Sequence, residues 1–251
     1  MAVGTGLFVY GIVPADVEPT PDASGVGDPP GVVEVVRHDE LAALVSEVVL
    51  EEPVGRPADL TAYKELLDGT ATVAPVLPVR FGTVVTGPDA VTDLLQARHD
   101  RFLELLREFE GRVEYVVHGR YIERELLVRI LAEQPAAADL ARQVHGQPER
   151  TIRNQRIRLG EMISQAVEAR READTRELVE RLAPLSVANQ VRPPSHEQDA
   201  AHAAFLVDAG RDAEFTEAAE AVAERWQGGV RLRLLGPLAP YDFVDSQQLA
   251  A

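Results

Sequence analysis

Catalysis or ligand binding in this chain would have to begin at its histidines, its serines, its lysine or its glycine-rich loop, and each falls short on spacing. The histidines are His38, His99, His118, His145, His196 and His202. A helix-borne zinc pair needs two histidines four residues apart, so that both rings leave one face; no such pair occurs, and His196-Glu197 lacks the second histidine. Gly25-Val26-Gly27-Asp28 has the glycines of a phosphate loop, but Pro29-Pro30 follows where a helix N-terminus would have to open toward the phosphate. There is no Gly-x-Ser-x-Gly elbow, and Ser24, Ser46, Ser164, Ser186 and Ser195 have no motif partner nearby. Lys64, the only lysine, could form a Schiff base if buried, but it reads as an exposed helical position beside Tyr63 and Leu66. Carboxylate pairs are uninformative among 41 acidic residues. The absence of cysteine excludes disulfides, zinc knuckles and thiol catalysis. The expectation is a chain with no catalytic residue, no metal site and no cofactor.

Charge narrows the partners. With 25 basic against 41 acidic residues the formal net charge is −16. A phosphate-backbone binder needs a basic face, so neither nucleic acid nor a lipid membrane is an expected partner. Arg150, Arg153, Arg156 and Arg158 cluster, but at a spacing that describes the solvated side of a helix. The first apolar run has no basic residue before it and Asp16 soon after, unlike a secretory signal, and no run reaches the ~20 apolar residues of a membrane span. A cytoplasmic protein is expected.

The elements that would position any site follow from periodicity. At 251 residues and 45% hydrophobic content two domains are expected. In residues 1–110, Leu7 to Val13 reads as a buried strand, and Val32 to Arg37 and Leu41 to Val49 as a hairpin turning at His38-Asp39. Glu34 and Arg37 give that hairpin one wet face. Ala58 to Val73 is helical in pattern, with Leu60, Tyr63, Leu66 and Leu67 on one stripe. Thr86-Gly87-Pro88-Asp89 then opens a single helix whose stripe is Val91, Leu95, Arg98, Phe102, Leu105 and Phe109, closed by Gly111. Residues 111–236 read as strand Val113 to His118, helical material from Tyr121 to Arg181, strands Leu185 to Val191 and Ala203 to Asp208, helix Asp212 to Gln227, and strand Val230 to Leu235. That is β-α-β-β-α-β, the ferredoxin-like order, with an enlarged helical first crossover. Pro135 and Pro148 split the crossover into a short helix, a connector and a long helix. The long helix has a narrow stripe of Ile152, Leu159, Ile163 and Ala166, then dense charge from Glu168 to Glu177, which predicts an end projecting past its sheet. Residues 237–251 read as an extended tail in which Pro237 and Pro240 block helix and regular ladder. The fold class is α+β, two α/β-sandwich-type domains with the second ferredoxin-like.

Two segments are more specific than any of these elements. Ala74-Pro75-Val76-Leu77-Pro78-Val79-Arg80-Phe81-Gly82-Thr83-Val84-Val85 reads as a strand bracketed by prolines and ending in an Arg-Phe pair and a Gly-Thr turn. Leu235-Gly236-Pro237-Leu238-Ala239-Pro240-Tyr241-Asp242-Phe243-Val244 reads as a strand end running into an aromatic tail. With the opening Leu7-Phe8-Val9-Tyr10-Gly11-Ile12-Val13, they resemble the gas vesicle protein F/L family, from Leu7 to Val244. The resemblance implies an accessory or minor structural protein, not an enzyme, that helps build hollow gas-filled shells. Its implied partners are the gas vesicle shell protein and other gas vesicle accessory proteins, and its implied location is the gas vesicle in the cytoplasm. The long loop from Pro14 to Gly31 departs from the family pattern.

The candidate partner-binding residues are Val35 and Val45, if their hairpin offers an unpaired edge, Arg80, Phe81 and Gly82 at the strand-to-turn junction, and Tyr241 and Phe243 in the tail. At the junction two readings stand. Either Arg80 pairs locally while Phe81 fills the core, or Arg80 presents its guanidinium to a partner. The alternative function is a ferredoxin-like small-molecule-binding protein or enzyme, which requires a pocket with convergent polar groups near His118 or Arg80.

Overall fold

A strand covered on both faces can be apolar without alternation, and Thr5–Pro14 (β1) is such a strand: Phe8, Val9, Tyr10, Ile12 and Val13 are all fully buried. The computed structural model describes residues 4–50, 54–147 and 149–244, with the side chains of 149–151 left aside. β2 (Val33–His38) and β3 (Leu41–Val49) form the expected hairpin, with Asp39 at φ 49° in its turn. Glu34 and Arg37 are exposed, the wet face the sequence predicts. α1 (Pro57–Ala71), β4 (Leu77–Pro78), β5 (Val84–Val85), α2 (Pro88–Ala97) and α3 (His99–Phe109) follow. The sheet runs β2-β3-β1-β4, with β5 also pairing β1.

Three expectations for this half need correction. The single helix after Thr86 is two, because the chain leaves helical geometry at Arg98 (φ −128°, ψ 19°). Arg98 is the one stripe position with a polar side chain, so continuing the helix would bury no apolar group there; Val91, Leu95, Phe102, Leu105 and Phe109 are all buried. Thr86, three residues before Asp89, is the capping residue the sequence suggests, but the N-cap is Gly87, which has no side chain to bond the first turn, and Pro88 at the first position spares one N–H that would go unpaired. On α1, Leu60 is exposed and its neighbour Asp59 is buried instead.

The second half contains β6 (Arg112–Tyr121), α4 (Glu123–Glu133), α5 (Pro135–Val144), α6 (Glu149–Leu182), β7 (Ala188–Val191), β8 (Asp199–Asp208), α7 (Asp212–Arg225) and β9 (Val230–Leu238). Its sheet runs β7-β8-β6-β9, so the fold is mixed, helices with two antiparallel sheets. The expected connector between Pro135 and Pro148 is α5, for which Pro135 serves as a first-turn residue. The expected tail begins as strand: β9 runs on through Pro237 to Leu238. An edge position tolerates a proline, since its missing N–H would face away from the ladder.

The stripe on α6 packs as expected, with Ile152 buried and Leu159, Ile163 and Ala166 half-buried, but the charged stretch after it is not wholly exposed. Asp174 within that stretch and Leu178 and Leu182 just beyond it are buried, while residues 153–158, between Ile152 and Leu159, are exposed. Asp174 is held by the Tyr121 hydroxyl at 2.8 Å and the Arg170 guanidinium at 3.1 Å, which is how a charge-dense stretch can face inward. Arg153, Arg156 and Arg158 lie on the exposed part.

Two compact units emerge, one of Met1–Tyr115, Leu206–Gly210 and Gly236–Ala251, the other of Val116–Phe205 and Arg211–Leu235. In the first, Phe8, Tyr10, Tyr63, Leu67 and Ala239 share one core cluster, with Phe81 and Tyr241 packed against it. In the second, Phe205 and Phe215 pack at 5.4 Å, and the mostly buried Trp226 donates its indole N–H to Glu177 at 3.3 Å.

Candidate functional site

The segment around Arg80 is a turn between two stitches on β1. Leu77 and Pro78 pair with Ile12 and Gly11, and Val84 and Val85 pair with Phe8 and Leu7. Between the stitches the Val79 amide donates to the Tyr10 carbonyl at 2.9 Å, and the Val9 amide to the Thr83 carbonyl at 3.0 Å. The Thr83 amide and hydroxyl both donate to the Arg80 carbonyl, at 3.1 and 2.7 Å, closing the turn. Gly82 sits at φ 89°, a conformation that favours glycine. The turn at Gly82-Thr83 lies where the sequence predicts it, and the strand before it is shorter than expected, Leu77–Pro78.

Within this turn Phe81 and Arg80 part company. The Phe81 ring meets Phe8 and Tyr63 edge-on, at 5.6 and 5.3 Å between centroids. Arg80 is exposed and makes no ion pair among the described residues. The local salt bridge of the structural reading is thus not formed, whereas its core-filling Phe81 is. Phe81 anchors the turn, and Arg80 beside it stays exposed.

The tail folds onto the same unit. One oxygen of Asp68 accepts the Ala239 amide at 2.9 Å and the Tyr241 hydroxyl at 3.0 Å, and the Tyr241 ring lies 6.2 Å from that of Tyr63. Burial pushes the Asp68 carboxyl up, against these hydrogen bonds. Burial, first, and then the Asp68 charge push the Tyr241 phenol up, so it stays a donor. The Asp242 amide donates to Glu114 at 2.8 Å; Phe243 is half-buried and Val244 buried. A side chain at Gly236 would meet the Tyr115 ring at 2.4 Å, so only glycine lets the strand cross there. Tyr241 is committed within the chain.

Of the two hairpin candidates only one lies on an edge. β3 is paired on both sides and Val45 is fully buried, so Val45 has no free backbone to offer. β2 is the outermost strand, and Val35 on it is half-buried.

The gas vesicle synthesis protein GvpL/GvpF family model matches residues 6–245. The chain belongs to this family. Gas vesicle protein F of Streptomyces sp. is 33% identical over 240 residues, covering 95% of this chain and 99% of that one. Gas vesicle protein L of the same strain is 30% identical, covering 94% and 91%. The crystal structure of GvpF from Anabaena sp. shares the fold, with a TM-score of 0.79 at 24% identity over 96% of this chain and 99% of that one. No helix among the described residues of this GvpL/GvpF member is long and apolar enough to cross a membrane.

Sequence spacing gave no sign of one further cluster in this family member. Asp199, almost wholly buried, accepts His118 Nε2 at 2.8 Å and the Ser195 amide and hydroxyl at 2.7 and 2.9 Å. Arg120 forms an ion pair with it at 3.4 Å, and the His196 amide donates at 2.9 Å. These donors hold the carboxyl well below the usual carboxylate range against the opposing effect of burial. The serine bonds the aspartate and not the histidine, so no nucleophile is activated. His118 stacks on His202 at 4.6 Å, and a cavity of about 700 Å³ is lined by Asp199, His202, Arg171, Val179 and Pro193 among others. A second grouping joins Asp39 and Glu40 to His99, whose Nε2 lies 3.0 Å from Glu40. Asp100, first, and Glu40 push the His99 imidazole up. Residues 81 or 59 positions apart carry no local signal, which is why both clusters escaped the spacing rules.

Proposed function

We propose that the protein is a non-enzymatic accessory or minor structural component of the gas vesicle that binds the shell subunit while the vesicle forms, in the cytoplasm. Family membership supports the setting. The observation that carries the binding site is Arg80, an exposed guanidinium without an ion pair among the described residues, on a turn whose next residue, Phe81, packs against Phe8 and Tyr63. A guanidinium fork suits carboxylate or carbonyl groups of another chain. Val35 on the outer strand and Phe243 in the tail stay in this proposal as secondary contacts. Val45 leaves it. We read the second sheet as ferredoxin-like, because β7-β8-β6-β9 is the strand order that a β-α-β-β-α-β chain adopts in that fold.

The small-molecule alternative has the cavity beside Asp199 and His202 in its favour. The Asp199 carboxylate is, however, already engaged by four hydrogen-bond donors and the Arg120 cation, which is the pattern of a structural hub.

Arg80→Glu is expected to lower capture of the shell subunit by about tenfold or more, since arginine is enriched among the residues that dominate interfaces. Its melting temperature should stay unchanged, because the side chain is exposed. Unchanged capture at unchanged stability would remove Arg80 from the interface.

A further inference from the structure

A groove of about 530 Å³ opens in the first unit where three segments meet. They are the chain after β1 from Pro14 to Glu18, the chain after α1 from Val73 to Pro75, and the outer side of α3. Its apolar lining consists of Val17 and Leu103, half-buried, Leu106, buried, and Val73, 83% exposed, with Pro14, Ala74 and Pro75. Four carboxylates line it too, Asp16, Glu18, Glu40 and Glu110, against the one lining cation Arg107. Glu18 is engaged by Arg37 and Glu40 by His99. Asp16 and Glu110 make no ion pair among the described residues.

Apolar side chains bordered by mostly acidic ones select an occupant by charge as well as shape. We propose that this groove docks an amphipathic segment of another protein that carries Lys or Arg on both flanks of an apolar stripe. The apolar stripe covers Val73, Val17 and Leu103, and the flanking cations reach Asp16 and Glu110. An acidic or uncharged segment would leave those two carboxylates beside unpaired apolar surface and gain nothing from the acidic lining. The groove is separate from the Arg80 turn, and the inference does not depend on the shell-subunit reading.

The test uses the full chain and two synthetic amphipathic helices, one of Leu and Lys and one of Leu and Glu. The Leu/Lys peptide should bind saturably and weaken as salt rises, because exposed charges are screened at a Debye length of about 8 Å in physiological salt. The Leu/Glu peptide should not bind. Asp16→Asn with Glu110→Gln should lower Leu/Lys affinity by about tenfold, and Val73→Ser should lower it by a smaller factor. Glu217→Gln with Glu220→Gln removes the same charge from two exposed positions on α7 and should leave affinity unchanged. All of these positions are exposed, so each variant should melt like the parent. Equal losses in the two double variants would mean attraction to the net charge of the chain alone, and would overturn the proposal. So would equal binding of both peptides, or no binding of either. Shell capture that persists in the Asp16/Glu110 variant leaves the proposed function standing; shell capture lost in the Arg80 variant with peptide binding intact separates the two surfaces.

Discussion

Replacing Asp59 with alanine is expected to lower stability by about 3 kcal/mol at neutral pH, as removal of one partner from a buried charged network does. Asp59 sits at the third position of α1 with its side chain 2% exposed. Its Oδ2 accepts the amides of Gly55 at 3.1 Å and Arg56 at 2.9 Å, and its Oδ1 accepts the Gly27 amide at 3.1 Å and Arg56 Nη2 at 3.0 Å. One carboxylate therefore caps the helix and ties the Gly27 loop to it. The Arg56 guanidinium, first, and the backbone amides hold the Asp59 carboxyl far below the usual range. Because the folded-state pKa is depressed, the stabilisation is present above the unfolded carboxylate pKa of about 4 and is lost as pH falls below it. Urea midpoints of the parent and the variant should thus differ at pH 7 and converge on acidification. A difference below about 1 kcal/mol at pH 7, or one that widens in acid, would show that the network contributes little.

Ending the chain after Leu238 should lower stability by about 4 kcal/mol, from the lost burial of Tyr241 and its neighbours and from the carboxylate left without donors. Ala239 is fully buried in the core cluster of the first unit, and Asp68 would lose both the Ala239 amide and the Tyr241 hydroxyl. Exposed rings of Tyr63 and Phe81 should raise binding of an apolar dye. Tyr241→Phe isolates the hydroxyl, and should lose only about 1.5 to 3 kcal/mol, the range for a hydrogen bond to a charged group. Unchanged urea midpoint and dye binding in the truncated chain would reduce the tail to a passive terminus.

What could be read ahead of the structure depended on how local its cause was. β1, the β2–β3 hairpin, α1 and α7 are written in periodicity and in turn residues a few positions apart, and they lie where that reading puts them. The break at Arg98 is less visible, since the apolar spacing carries on across it and only the polarity of one stripe position differs. Asp59 reads as an ordinary first-turn acid; nothing near it in sequence tells of Gly27. The pairs that shape the candidate site are more distant still. Tyr241 meets Asp68 across 173 positions, and His118 meets Asp199 across 81. The Arg80-Phe81-Gly82 run was legible as a special junction, but whether the guanidinium turned inward to a local acid could be decided only by the fold.

Capture of the gas vesicle shell subunit by the full-length chain, compared with its Arg80→Glu variant at matched stability, bears most directly on the central claim. The account predicts saturable binding by the parent and a loss of about tenfold or more in the variant. Absence of saturable binding by the folded parent protein would contradict it.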